Sequence, residues 1–571
     1  MRMGWVSDIE SKVSYRAVPD ANSATPPAPA RRRFGGYAAL VAAGILLSRL
    51  AGLVRTRVMA HYLGTSAAAD AFTAALKVPN FLQNLLGEGV LSASFIPVYA
   101  RTLARGDERL AGRVAGVVAT LLALITSILV LLGVLFTPWL LIVIAPGFEG
   151  ETRALTIRII RILFPGVGLL VFSAWCLGIL NSHRKFFLSY VAPVLWNAAM
   201  IAALVIFGSR LHEGDLAVAL AWGTVVGCAL QFLVQVPFVL RYAKHLSFGV
   251  DMQLPEVRGV LRAFGPVVVG RGVVQLSGYI DLLIATLLPT GAVTSITYAQ
   301  TIYLLPVSLF GMSVAAAELP QMAGVTGDEE KVAEALRARL ARGLKQISFF
   351  VVPTIVAFIG IGDLLIAAVF QTGKFTPEVT RFVWYILIGS TVGLLATTLG
   401  RLYSSAYYAL GDTRTPLKFA TVRVILTATL GYLFAMPLRP LIVAAFELAR
   451  MPIPRVPGGP LALGAVGLTA SAGVAGWVEF LLLRKGIQKR VGRVQSAQSF
   501  ELKLWIAAIA AGAAAIAGDR LVVHRAVDSL PIPRVLEAGV AAALFGIVYF
   551  AVAALLGVHE VKGFISRFRK K

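Results

Sequence analysis

Residues 48–101, SRLAGLVRTRVMAHYLGTSAAADAFTAALKVPNFLQNLLGEGVLSASFIPVYAR, are apolar enough to enter a bilayer, yet they carry Arg49, Arg55, Arg57, Asp70, Lys77 and Glu88. An ionisable side chain at the centre of a membrane helix costs about 2.5–3.5 kcal/mol on insertion scales, so charge kept there is paired or put to use. More follows downstream. Arg271 and Asp281 stand ten residues apart in GPVVVGRGVVQLSGYIDLLIATLL, close to three helical turns, and so share a face. Gln300, Glu318 and Arg401 lie in further apolar stretches. The acids have two uses open to them: ion pairs that hold helices together, such as Arg49 or Arg55 with Asp70 or Glu88, or the tuning of a binding site. The arginines point more narrowly. Arg49, Arg55, Arg271 and Arg401 present planar forks suited to phosphate oxygens. A cavity with an excess of arginine suits an anion with several oxygens, and a pyrophosphate fits.

Other chemistry has no support in the sequence. No G-x-x-x-x-G-K-[ST] loop is present, which argues against ATP hydrolysis within the chain. No Ser/His/Asp constellation or catalytic carboxylate pair stands out, so an integral membrane glycosyltransferase is disfavoured. Cys176 and Cys228 lie inside apolar runs without metal-ligand spacing, and the six histidines form no cluster. We expect no catalytic residue, no metal and no cofactor.

The elements that must position these charges are membrane helices. Of 571 residues, 57% are hydrophobic and 14% charged, against about a quarter charged in a soluble domain. Mean hydropathy is +0.78. Fourteen stretches have spanning length: 37–62, 71–100, 115–145, 155–180, 187–208, 216–240, 263–288, 293–323, 346–370, 382–409, 417–436, 461–483, 502–518 and 535–557. Lys and Arg number 28 in the loops after even-numbered stretches and 10 after odd-numbered ones. The positive-inside rule then places both termini in the cytoplasm. The net charge of +24 is read the same way, as topology and contact with anionic phospholipids rather than nucleic acid. The first 36 residues lack the apolar core of a secretory signal and read as a disordered cytoplasmic tail.

An internal repeat organises the spans. Residues 140–170 parallel 364–395, 180–193 parallel 409–416, and 95–108 parallel 318–330, at offsets near 220–230 residues. The expected fold is an all-α polytopic membrane protein of 14 transmembrane helices: an N-lobe of six (37–245), a C-lobe of six (246–485), and two extra C-terminal helices with a basic tail (486–571). A two-lobed repeat around a charged centre is the architecture of alternating access. The Pro-rich stretch 437–460 is expected to hold a short interfacial helix at 440–450. Arg57 near a span end is expected to snorkel, and Lys374 to be a surface cation.

At these residues the sequence resembles the MurJ/MviN lipid II flippase family. The resemblance is carried by Ser48-Arg49-x-x-Gly52, Arg55, Gly64, Asp70-Ala71-Phe72, Lys77-x-Pro79-Asn80, Glu88-Gly89 and Phe95-x-Pro97. APGF (145–148), FQTGKFT (370–376) and Thr413-Arg414-Thr415-Pro416 add to it, over roughly residues 37–560. It implies the fold of the multidrug/oligosaccharidyl-lipid/polysaccharide exporters. It also implies a cargo, the undecaprenyl-pyrophosphoryl disaccharide-pentapeptide of peptidoglycan synthesis, moved from the inner to the outer leaflet of the bacterial cytoplasmic membrane. By motif position Arg49 and Arg55 correspond to cavity arginines that hold the pyrophosphate, Asp70 to a span-2 aspartate and Arg401 to a span-10 cation. Lys77, Asn80, Glu88, Asp281 and Gln300 are expected as their polar partners. Transport would be linked to membrane potential or an ion gradient, the prenyl tail would lie beside the last two helices, and cell-wall synthesis proteins are candidate partners.

The chain departs from the family pattern at three places. Thr56 stands where many members are acidic, Gln83 where a basic residue is common, and Ala299-Gln300-Thr301 where Ala-Asp-Arg is usual. Charge bookkeeping suggests that Arg271 replaces the lost arginine and Asp281 the lost acid. Two neighbouring functions stay open at this point: a flippase for another polyprenyl-pyrophosphate oligosaccharide, of O-antigen or capsule type, and a drug/cation antiporter of the same superfamily. The antiporter should favour acids over arginines in its cavity. A membrane scaffold within a cell-wall assembly would tolerate neutralisation of Arg49 and Arg55.

Overall fold

In the computed structural model, the structure describes residues 34–325, 328–494, 498–520 and 534–561. The expected N-terminal tail up to residue 33 and the basic end from 562 lie outside the described residues. All regular structure in the described residues is helical. The first half contains α1 (Phe34–Leu63), α2 (Ala67–Leu86), α3 (Glu88–Ala104), α4 (Glu108–Leu135), α5 (Thr137–Ile144), α6 (Gly150–Ser182), α7 (Phe186–Phe207), α8 (Glu213–Leu233) and α9 (Val236–Tyr242). The second half has α10 (Pro255–Thr286), α11 (Ala292–Pro306), α12 (Ser313–Ala323), α13 (Glu329–Gly360), α14 (Gly362–Phe370), α15 (Pro377–Thr391), α16 (Leu394–Ala409), α17 (Arg414–Ala435), α18 (Arg439–Leu448) and α19 (Gly464–Val491). Two further helices follow, α20 (Gln498–Gly518) and α21 (Arg534–Leu555).

Among the described residues ten helices are long and apolar enough to cross a membrane, or eleven when α15 and α16, bent by 43°, count as one span. That is fewer than the fourteen expected. The remaining stretches fall in α1, the α2–α3 pair and α10, which hold most of the expected site charges. The interfacial helix expected at 440–450 is α18, a ten-residue helix with Leu441 and Leu448 exposed.

Local chemistry sets the ends and breaks. Ser66 caps α2 by accepting from the Ala69 N–H, and Asp107 caps α4 by accepting from the Leu110 N–H at 2.9 Å. Such caps satisfy N–H groups that have no partner inside the helix. Gly87 separates α2 from α3. A six-residue π-helical segment, Val307–Met312, follows Pro306 and separates α11 from α12. Phe136 divides α4 from α5, and Ile361 divides α13 from α14.

The apolar core is continuous across the two halves. One cluster joins Met59, Phe72, Leu163 and Leu220 to Leu282, Tyr298, Tyr385 and Leu468. A second holds α3, α4 and α6 together around Phe95, Val118 and Ile179, and takes in Val257 and Val260 of α10. A third binds α20 and α21 to α13 and α14, with the Tyr549 hydroxyl donating to the Phe349 carbonyl at 2.7 Å. α16 and α19 cross at glycines: a Cβ on Gly473 would lie 2.6 Å from the Gly393 nitrogen. Small residues permit this approach between membrane helices. The segment joining the halves is strapped onto α4. Cβ atoms on Gly112 and Gly116 would lie 2.2 and 2.1 Å from the carbonyl oxygens of His245 and Ser247, and Arg113 pairs with Asp251 at 2.7 Å.

Candidate functional site

Arg49 and Arg55 are six residues apart on α1, so they leave the helix in different directions. Arg49 is exposed and points at the second half, where its Nη1 donates to the Ser308 hydroxyl at 2.6 Å. Ser308 belongs to the π-helical segment, a kind of distortion common at functional sites. Arg55 is half-buried against α7. Its guanidinium lies 5.2 Å from the centre of the Trp196 ring, and its Nη1 reaches the Met200 sulfur at 4.0 Å. Neither arginine has a carboxylate partner among the described residues. Of the two uses left open for the acids, an ion pair of Asp70 with Arg49 or Arg55 is not what the structure shows.

Asp70 is placed elsewhere. It is buried at the start of α2, and its carboxylate accepts from the Gly291 N–H at 2.6 Å, the Thr294 N–H at 2.8 Å and the Thr294 hydroxyl at 2.6 Å. These donors begin α11, so Asp70 from one half caps a helix of the other. An anion belongs there, at the positive end of the helix dipole with its orphan N–H groups. Gly291 adopts φ +93°, a conformation that favours glycine. Asp70 thus holds a seam between the halves rather than tuning cavity arginines.

Other contacts line the same seam. The Thr73 and Thr294 hydroxyls lie 3.4 Å apart, and the Tyr298 hydroxyl donates to the Gly64 carbonyl at 2.9 Å. Arg57 does not snorkel: its Nη1 donates to the carbonyls of Ala368 and Val369 at 2.6 and 2.7 Å. It thereby caps the C-terminal end of α14, where a cation is favoured. Lys374 is more than a surface cation, since its Nζ pairs with Glu213 at 2.5 Å and its N–H donates to the His61 carbonyl at 2.9 Å.

Asp281 lines a cavity of about 130 Å³ in the second half with Gln300, Tyr303, Thr397, Arg423 and Thr469. Its Oδ1 is buried without a hydrogen-bond partner. Lys77 of α2 stands within electrostatic range of Asp281, and the Lys77 carbonyl accepts from the Tyr279 hydroxyl at 2.5 Å. Asn80 lies one turn beyond Lys77 on α2 and is half-buried. Arg401 is exposed on α16 in the field of Arg423, Tyr303 and Glu479. Sequence reasoning passed over Arg423 and Glu479, which pair at 3.1 Å between α17 and α19. The signal was present: both are ionisable residues inside apolar stretches. The side chains of Arg271 and Glu88 lie outside the described residues, and so does the expected substitution of Arg271 for a lost arginine.

The structure therefore brings Asp281 and Gln300 together in the second half's cavity, with Lys77 in electrostatic range of Asp281 and Arg401 in range of Tyr303 and Arg423. It leaves Arg49 and Arg55 on separate walls of the first half and assigns Asp70 to the seam. Arg49 also lines a second cavity, of about 310 Å³, with Gln83, Ser173, Ser189 and Gln231.

The architecture is that of an all-helical, polytopic membrane protein, and solved structures share its fold. A solved lipid II flippase MurJ, in its inward closed conformation, superposes with a TM-score of 0.71 at 21% identity, covering 90% of this chain and 98% of that one. An inward-facing multidrug MATE transporter superposes with a TM-score of 0.58 at 19% identity, covering 79% of this chain and 98% of the other. The sequence narrows the class. The profile of the family "Lipid II flippase MurJ" matches residues 59–451. The lipid II flippase MurJ of Burkholderia cenocepacia is 30% identical over 451 residues, 78% of this chain and 82% of the relative. The probable lipid II flippase MurJ of Haemophilus influenzae is 29% identical over 488 residues, 82% of this chain and 89% of the relative. The chain belongs to the lipid II flippase MurJ family, and is a multi-pass membrane transporter rather than an enzyme.

Proposed function

We infer that the protein moves lipid II from the inner to the outer leaflet of the bacterial cytoplasmic membrane for peptidoglycan synthesis. The observation that carries this reading is Arg49. It is an exposed guanidinium midway along α1, its recorded partner is a neutral hydroxyl across the two halves, and Asp70 seals the seam beyond it. An anion with several oxygens satisfies such a group, and Arg401 offers a second guanidinium from the other half. All fourteen apolar stretches span in this reading, with both termini cytoplasmic, as the 28-to-10 split of basic residues indicates. Two lobes of six helices follow, and the helix breaks support the repeat. Gly87 and the Val307–Met312 segment interrupt corresponding spans, and so do Phe136 and Ile361.

On that orientation the Asp70 seam faces outward, and the lobes must part there for cargo to leave. The prenyl tail lies beside α20 and α21, basic residues at the inner ends meet anionic phospholipids, and membrane potential or an ion gradient supplies the direction. The test is lipid II accessibility to an external probe in a strain lacking its own flippase. Wild-type protein should restore it, and Arg49→Ala should lower it at least tenfold, with Arg49→Lys recovering part of the loss. Undiminished accessibility in the Arg49→Ala, Arg55→Ala double variant would overturn the assignment. Restored growth without lipid II exposure would point to another polyprenyl-pyrophosphate cargo.

A further inference from the structure

The cavity of about 310 Å³ beside Arg49 sets uncharged hydrogen-bonding groups among apolar side chains such as Ile45, Leu170 and Leu177. Gln83 comes from α2, Ser173 from α6, Ser189 from α7 and Gln231 from α8, with the Trp196 indole also in the wall. Among the described residues Arg49 is the one charged residue that lines it. Ser173 is buried, and its hydroxyl oxygen accepts from the Gln231 amide at 3.0 Å and the Gln235 amide at 2.6 Å. The Gln235 Nε2 also donates to the Gln231 carbonyl at 2.8 Å, which fixes the orientation of that amide. With two donors already at Ser173, its own proton is left to give. Ser189 is 3% exposed, and among the described residues its hydroxyl has no partner.

A buried polar group left unpaired in a helix bundle keeps its desolvation cost without a compensating hydrogen bond. A polar recess of this kind is retained when a ligand satisfies it. Among the described residues the recess offers no charge besides Arg49, which suits a neutral group that both donates and accepts hydrogen bonds. Its volume is that of a small-ligand site, and the arginine assigned to pyrophosphate is part of its wall.

We propose that this cavity is the subsite for the sugar ring bonded directly to the pyrophosphate of the polyprenyl-linked cargo, with Gln83, Ser173 and Gln231 hydrogen-bonding its hydroxyl and N-acetyl groups. The proposal rests on the flippase reading and adds the part of the cargo that this wall recognises. It also gives Gln83 a role: an amide at this position reads hydroxyls and amides, where a cation would read a second anion.

Binding of two probes to the purified full-length protein in nanodiscs tests it: undecaprenyl pyrophosphate, and the same lipid carrying one N-acetylhexosamine. The readout is the ratio of the two affinities, which a general weakening of the protein does not move. The wild type should prefer the sugar-bearing lipid by about tenfold, the worth of one or two good hydrogen bonds. Gln231→Leu should bring the ratio to within about twofold. Gln83 is half-buried and makes no side-chain hydrogen bond among the described residues, so Gln83→Ala keeps the test open if Gln231→Leu fails to fold, and it should lower the ratio too. Equal affinities in the wild type, or a ratio unchanged in both variants, would overturn the subsite alone. Binding of neither probe by the wild type would overturn the flippase reading, and the subsite with it.

Discussion

The Asp70 carboxylate takes two backbone N–H groups and a hydroxyl from the first turn of α11. Asp70→Ala leaves those donors without their acceptor, at a cost of about 1–3 kcal/mol for buried groups. The seam should then open more often. A cysteine placed at Ser295, which is fully buried one residue beyond Thr294, reports this. Its labelling by a membrane-impermeant maleimide applied from outside should rise about tenfold in the Asp70→Ala background, while the native Cys176 and Cys228 are buried and stay silent. Unchanged labelling would mean that Asp70 does not hold the seam. The sequence marked Asp70 as a costly charge, and the rule that membrane charges pair led toward an arginine. Its real partners are main-chain donors 221 and 224 residues away, and no residue type announces a helix terminus at that distance. Arg57 was obscured for the same reason, since its acceptors are backbone carbonyls of α14.

Among the elements, the α16–α17 turn is the clearest case of a local motif folded as its residues dictate. Asp412 accepts from the N–H groups of Arg414 and Thr415 at 3.0 and 2.9 Å, from the Thr415 hydroxyl at 2.7 Å and from Arg490 at 2.6 Å. Burial alone would raise its carboxyl; the hydrogen bonds from Thr415 and the Arg490 guanidinium outweigh burial and hold it at about 2. The folded value lies below the unfolded one, so the stabilisation is present above pH 4 or so and is lost as pH falls toward 2. Asp412→Asn should lower the melting temperature by roughly 2–4 °C at pH 7, and the gap to wild type should close on acidification. The α16–α19 crossing depends on shape instead. Gly473→Leu drives a side chain into the Gly393 backbone, and overpacking of this kind costs about 1–3 kcal/mol or more, visible as a lower melting temperature in detergent. The existence of these helices was legible from hydropathy and turn residues. Which helix faces crossed was not, because a glycine looks the same in a sequence whether it faces lipid or another backbone.

For the whole molecule, the seam should be a moving part. The Thr73 and Thr294 hydroxyls are 3.4 Å apart across it, so cysteines at those positions would place their sulfurs near each other. Oxidation of a Thr73→Cys, Thr294→Cys pair should stop lipid II export, and reductant should restore it. Export that continues in the oxidised protein would show that the halves need not part there. The proposed two-lobe plan rests on the spacing of repeated segments and on the basic loops. The distribution of the charges between the halves was not legible there, because it depends on how one half docks against the other. Arg423 and Glu479 were readable as intramembrane charges, yet only the packing of α17 on α19 makes them a pair.

The strap over α4 has a mechanical meaning. At Gly112 and Gly116 the connecting segment lies so close that even a methyl group has no room, and α10, which follows it, packs Val257 and Val260 into the first half's core before running on to Leu282 in the shared one. The joint is therefore a splint and not a tether. Cutting the chain at the strap should leave two polypeptides that reassociate only while those glycines are kept, and lengthening it with flexible residues should uncouple the swing of one half from the other even with every charged residue in place.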